Sequence, residues 1–107
     1  PILHYRAGSA QVEQLTLRQI PLAVQADYPF ATHSIIAKPG DWFVLITDGL
    51  TEVFNDAGEE FDLSVMEEML IQHHTADPET LYQAIMRAVR SHGRQQDDQT
   101  LMLIRCE

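Results

Sequence analysis

The tightest constraint on how this chain folds is one short run, Trp42-Phe43-Val44-Leu45-Ile46, set between Pro39-Gly40-Asp41 and Thr47-Asp48-Gly49. A continuous apolar run, aromatic and β-branched and bounded by turn residues, reads as a strand. Because both of its faces are apolar, it is expected to be a central, buried strand over residues 42–47. Pro39 presets φ and Gly40 takes φ > 0, so the chain reverses direction just before it. The rest of the fold has to be arranged around this strand.

Ile2-Leu3-His4-Tyr5-Arg6 and Gln11 to Leu17 flank Ala7-Gly8-Ser9-Ala10 and predict a β-hairpin. Ile20 to Val24 contains Pro21, which demotes it from a central strand. His33 to Lys38 is a short strand candidate around Ile35-Ile36, and Thr100 to Arg105 is a last strand. Asn55-Asp56-Ala57-Gly58 is a turn cluster. Ser64-Val65-Met66-Glu67 matches a capping box opening a helix with Val65, Met66, Met69, Leu70 and His73 on one face. Asp77-Pro78 opens a second helix, striped by Leu81, Ile85, Ala88, Val89 and His92 and ended by Gly93. Strands joined by short turns favour antiparallel pairing over a doubly wound sheet. The expected fold class is α+β, antiparallel strands with two adjacent helices. With no repeat, low-complexity tract or linker-like shift in composition, residues 1–107 read as one domain.

Composition narrows the function. The chain has 107 residues, 45% of them apolar, enough for a real core and against disorder. A folded chain of this size exposes roughly 6,000 Å². Sixteen acidic and seven basic side chains give a net charge of −9. Nucleic acids and anionic membrane surfaces are therefore disfavoured as partners. An acidic chain handles a phosphorylated substrate only if bound cations invert the local charge. No apolar run approaches the length of a membrane span, and no signal peptide is expected. Cys106 is the single cysteine, so no intrachain disulfide or multi-cysteine zinc site is expected, and a reducing, cytoplasmic setting is the simplest fit. The apolar start at Pro1 fits a chain cut from something longer.

Two acidic positions carry potential chemistry. Asp48 ends the central strand and Asp97, in Gln96-Asp97-Asp98-Gln99-Thr100, precedes the last one. If the two strands are neighbours, these carboxylates converge, and a raised pKa or a divalent cation must relieve their repulsion. Oxygen-only ligands suit Mg²⁺ or Mn²⁺. The plainer alternative is that Asp48-Gly49 is a turn and Asp97-Asp98 a solvated loop. His73 and His74 are adjacent on a helix and point apart; His4 and His33 read as ordinary strand residues, Asp41 as a turn residue, and Glu52, Glu59 and Glu60 as a solvated acidic face. A haloacid-dehalogenase site needs an Asp where Ile46 stands. A response-regulator receiver needs a later lysine, whereas Lys38 is the only one and lies before Asp48.

Taken together, Lys38 to Glu52, Asn55 to Phe61 and Asp97-Asp98-Gln99-Thr100-Leu101 resemble the metal-dependent protein phosphatases of type 2C. The likeness is to the bacterial branch of stage II sporulation phosphatase E and the sigma-factor regulators, with its "PGD, apolar strand, TDG-x-TE" and closing "DD-x-T" motifs. The resemblance implies a sandwich of two antiparallel sheets flanked by helices, of which this chain is the C-terminal half. It implies hydrolysis of a phosphoserine or phosphothreonine ester with two Mn²⁺ or Mg²⁺ ions activating a water. It implies that Asp48 and Asp97 hold metal, with Asp98 and Gly49 at or just behind it. No residue here is expected to act as nucleophile or general acid. Implied partners are a phosphorylated protein, such as an anti-sigma-factor antagonist, and the missing N-terminal half or a sensor domain. The bridging metal aspartate of that half has no counterpart upstream of Asp48, so the chain alone is expected to be inactive. Ala23 stands where the branch carries Gly in a "PLG" turn. The competing expectation is a non-catalytic module whose uncovered sheet seeks partners or a second copy of itself.

Overall fold

A computed structural model describes residues 1–16 and 18–107. Its order is β1 (Ile2–Arg6), β2 (Gln11–Leu15), β3 (Trp42–Ile46), α1 (Asp48–Thr51), α2 (Leu63–His73), α3 (Pro78–His92) and β4 (Leu101–Arg105). The strands form one antiparallel sheet in the order β2-β1-β3-β4. The fold is the α+β class that the short turns implied.

Strand alternation divides the sheet into two unlike faces. Leu3, Tyr5, Trp42, Val44 and Ile46 point to one side and are buried with Met66 and Leu70 of α2 and Leu81, Ile85, Met86 and Val89 of α3. The Trp42 indole Nε1–H donates to the His74 carbonyl at 2.9 Å, which ties β3 to the end of α2. The other side carries Ile2, Phe43, Leu45, Met102 and Ile104, aligned across the strands by their register. No helix among the described residues covers that side. Phe43 and Leu45 are therefore half-buried, and β3 is interior to the sheet but covered on one face only.

The molecule is accordingly a thin slab, 44 × 37 × 19 Å. Its radius of gyration is 15.4 Å, against about 13 Å for a compact chain of this length. It exposes 7350 Å², well above the roughly 6,000 Å² of a complete globule of its mass. One sheet with helices on one face makes two layers, not a closed sandwich.

Several local expectations change. The strand candidate at His33–Lys38 does not form, and Ile20–Val24, demoted by Pro21, is not a strand either. Pro21 and Pro29 lack amide donors, and Ala23 (φ 66°) and Asp27 (φ 58°) adopt left-handed backbone. β1 already has partners on both edges. Residues 18–41 instead return as turns and irregular chain, held partly by Gln19, whose Oε1 accepts from the Ala31 amide at 2.7 Å. His33 and Ile35 reach the open sheet face, lining an apolar groove of about 430 Å³ with Ile2, Leu15, Phe43 and Ile104. The extension of β2 to Leu17 lies partly outside the described residues; the strand itself ends at Leu15.

The helix ends divide in the same way. Asp77 caps α3 as its motif predicts, accepting from the Thr80 amide at 2.8 Å with Pro78 opening the helix. In α2 the cap is Asp62 and not Ser64: the Asp62 carboxylate accepts from the Ser64 amide at 2.9 Å. A carboxylate at a helix start gains from the helix dipole as well as the hydrogen bond, and outcompetes a hydroxyl two residues later. The Asn55–Gly58 turn forms as expected, with the Asn55 side chain accepting from the Ala57 and Glu59 amides.

Candidate metal centre

The proposed acid positions lie at one end of the β3–β4 pair. In antiparallel neighbours, the C-terminal end of one strand meets the N-terminal end of the other. Ile46 accordingly opposes Leu101. Pairing continues past the strands: the Thr47 amide donates to the Thr100 carbonyl at 3.2 Å, and the Thr100 amide donates to Thr47 Oγ1 at 2.9 Å. Thr47 occupies the N-cap of α1 yet makes no capping bond, because its hydroxyl oxygen serves Thr100 instead.

Asp48 follows as the first residue of α1, and its side chain is exposed. Gly49 is buried against the other acidic segment. A Cβ at Gly49 would overlap the Asp98 carbonyl oxygen and come within 3.3 Å of the Asp97 carbonyl oxygen. Only glycine permits this approach of two backbones. The Gln99 amide Nε2–H donates to the Gly49 carbonyl at 3.0 Å. Asp97 and Asp98 are exposed in the loop before β4, and the Asp97 carboxylate accepts from the Asp98 amide at 2.7 Å. The segments bearing Asp48, Gly49, Asp97 and Asp98 are thus brought together. Thr47, Gln99 and Thr100, which do the joining, were visible only as letters inside the two motifs.

The donor set suits a hard divalent cation in part. Carboxylates on two adjoining, solvent-reached segments provide the oxygen chemistry that Mn²⁺ or Mg²⁺ needs. Among the described residues, however, no group of three or more His, Cys, Asp or Glu side chains converges.

His4 lies on β1 and Asp41 closes the Lys38–Asp41 turn, as expected, but their pairing was not foreseen. Both are buried, and the His4 Nε2–H donates to Asp41 Oδ2 at 2.9 Å. Asp41 also accepts from the Ala7 amide at 3.0 Å and the Lys38 amide at 3.2 Å. Burial by itself pushes this carboxyl up, but the Ala7 amide, the His4 ring and the Lys38 amide together hold it below the ordinary carboxylate value. The pair sits at the opposite end of β3 from Asp48 and belongs to the scaffold. No helix among the described residues is long and apolar enough to cross a membrane.

The family model of stage II sporulation protein E (SpoIIE) matches residues 1–107. No curated protein matches. Among solved structures, the phosphatase domain of the cell fate determinant SpoIIE from Bacillus subtilis, presoaked with Mn, superposes with a TM-score of 0.71 at 21% identity, covering 100% of this chain and 46% of that one. The same domain in a crystal form without domain swapping gives a TM-score of 0.63 at 24% identity, covering 98% of this chain and 45% of that one. The chain therefore spans about half the length of the domain it resembles. The four-stranded slab is shared with that domain, and the match of the family model from end to end means that this chain belongs to the SpoIIE family.

Proposed function

We propose that this chain is the C-terminal half of a metal-dependent phosphatase domain that hydrolyses phosphoserine or phosphothreonine esters on a protein. The observation that carries this reading is the joining of the Asp48-Gly49 and Asp97-Asp98 segments by the Thr47–Thr100 pairing and the Gln99–Gly49 bond. The similar SpoIIE structure is a phosphatase domain presoaked with Mn, which supports the reaction class and the ion. Asp48 and Asp97 would hold a Mn²⁺ or Mg²⁺ ion, with Asp98 and Gly49 at or just behind it. A bound divalent cation supplies the positive charge that makes water acidic and offsets a phosphate's charge. The contribution of this chain is to fix two oxygen donors on a strand-end frame. Half of the coordination shell, including the bridging aspartate, belongs on the other half of the domain, so the isolated chain should hydrolyse a generic phosphomonoester negligibly.

Partners follow from the same reading. The substrate is a phosphorylated protein, such as an anti-sigma-factor antagonist, in a cytoplasmic signalling pathway. With a net charge of −9, neither nucleic acid nor an anionic membrane is a partner. Titrating Mn²⁺ into the chain tests the metal assignment. Weak binding that disappears in the Asp48→Asn, Asp97→Asn double variant supports it, and binding indifferent to both replacements overturns it.

A second reading rests on the open sheet face. Met102 and Ile104 are 53% and 44% exposed, in line with Phe43 and Leu45. A contiguous apolar face of this kind draws partners. The remaining half-domain is the occupant in a longer chain, and a second copy of this chain is the occupant when it is alone. A compact monomer in sedimentation at high concentration would refute self-association.

A further inference from the structure

We propose that Gln99 is a positioning residue that fixes the Asp48-bearing turn against the Asp97-bearing loop. The inference rests on the metal assignment above. Asp48 sits on a one-turn helix and Asp97 in a loop, both exposed, so neither acid is located by burial. Their relative position depends on links between the two segments. One is the main-chain bond from the Thr47 amide to the Thr100 carbonyl, and a second uses the Thr47 hydroxyl. Both lie on the strand side of the acids.

Gln99 reaches further. It stands two residues after Asp97, and its amide donates to the carbonyl of Gly49, the residue next to Asp48. Beside the Thr47 hydroxyl, which accepts from the Thr100 amide, it is the side chain that reaches from the Asp97 loop past the strand end to the Asp48 turn. The buried contact between Gly49 and the Asp98 carbonyl brings the segments together but has no directionality of its own. The Gln99 bond supplies that direction. It also satisfies a carbonyl at the end of a short helix that α1 itself leaves without a partner. Groups that orient a ligating residue without touching the ion typically contribute about 10- to 100-fold to metal affinity.

The test uses the intact chain and Mn²⁺ alone, read by paramagnetic broadening of backbone amide resonances, which reports weak sites. In the wild type the amides around Asp48 and around Asp97 should broaden together, at one Mn²⁺ midpoint. In Gln99→Met, which keeps the volume and removes the donor, the midpoint should rise about 10-fold. The melting temperature and the hydrogen-exchange protection of β3 and β4 should not change. Should Gln99→Met fail to fold, Gln99→Asn, whose amide is too short to reach Gly49, carries the same expectation. An unchanged midpoint in a folded variant overturns the role of Gln99 while leaving the metal site standing. Wild-type broadening that survives the Asp48→Asn, Asp97→Asn double replacement overturns the metal assignment, and this inference with it.

Discussion

His4 Nε2 lies 2.9 Å from Asp41 Oδ2, with both residues buried at the start of β3. The carboxylate also receives the Ala7 and Lys38 amides, so one side chain joins β1, the hairpin turn and the 38–41 turn. Removing it leaves a ring nitrogen and two amides without acceptors. Asp41→Ala should destabilise the chain by about 3 kcal/mol in urea denaturation, because buried unpaired donors cost their full desolvation.

The pH dependence follows from the same contacts. Asp41 is held below the ordinary carboxylate value in the folded chain, as are the capping residues Asp62 and Asp77. A group depressed on folding contributes its stability above the unfolded value of about 3.9, and loses it as pH falls through the folded value. The urea midpoint should hold level from neutral pH to about pH 5 as far as these groups are concerned, then drop below about pH 4. Asp41→Asn should flatten that drop; an equally steep curve would remove Asp41 from the account.

Gly49 tests the contact between the acidic segments. Gly49→Ala places a Cβ against the Asp98 carbonyl, which is backbone and cannot swing aside. The expected cost is about 2 kcal/mol, of the size seen for overpacking. Mn²⁺ binding should weaken in the same variant, and thermal denaturation with Mn²⁺ titration measures both.

Ala23 offers a stabilising change. It sits at φ 66°, a region where a side chain costs about 1–2 kcal/mol. Ala23→Gly relieves that strain and returns part of it as unfolded-state entropy. A net gain of about 0.5–1 kcal/mol is expected, raising the melting temperature by a few degrees.

The open sheet face predicts association. Ile104 lies on β4 at the edge of the sheet and lines the apolar groove. Ile104→Lys should lower self-association in sedimentation while leaving the melting temperature nearly unchanged, since the residue is 44% exposed. A charged side chain on an edge strand discourages edge and face pairing.

Sequence reading succeeded where the determinants lie within a few residues of one another. The 42–46 strand, the Asp77-Pro78 helix start, the hairpin and the Asn55 turn all follow from local stereochemistry and periodicity. The family resemblance marked Ala23 as standing where glycine is usual, and its backbone is indeed left-handed, a conformation that glycine adopts without strain. The reading failed where two local signals competed, as Asp62 and Ser64 did for one helix start. It failed too at Ile35-Ile36, where β propensity is not realised and Ile35 instead lines the apolar groove on the sheet face.

By itself, then, the sequence determined the α+β class, the central apolar strand and the placing of an acid at each of two strand ends, because propensity, turn geometry and apolar spacing act along the chain. Tertiary structure decided the rest. It paired β3 with β4, so that Gln99 reaches Gly49 across a separation of 50 residues, and it buried Asp41 under His4 from 37 residues away. It also left one sheet face open. These outcomes depend on strand order, which arises from packing distant segments against one another and is not fixed by local propensity.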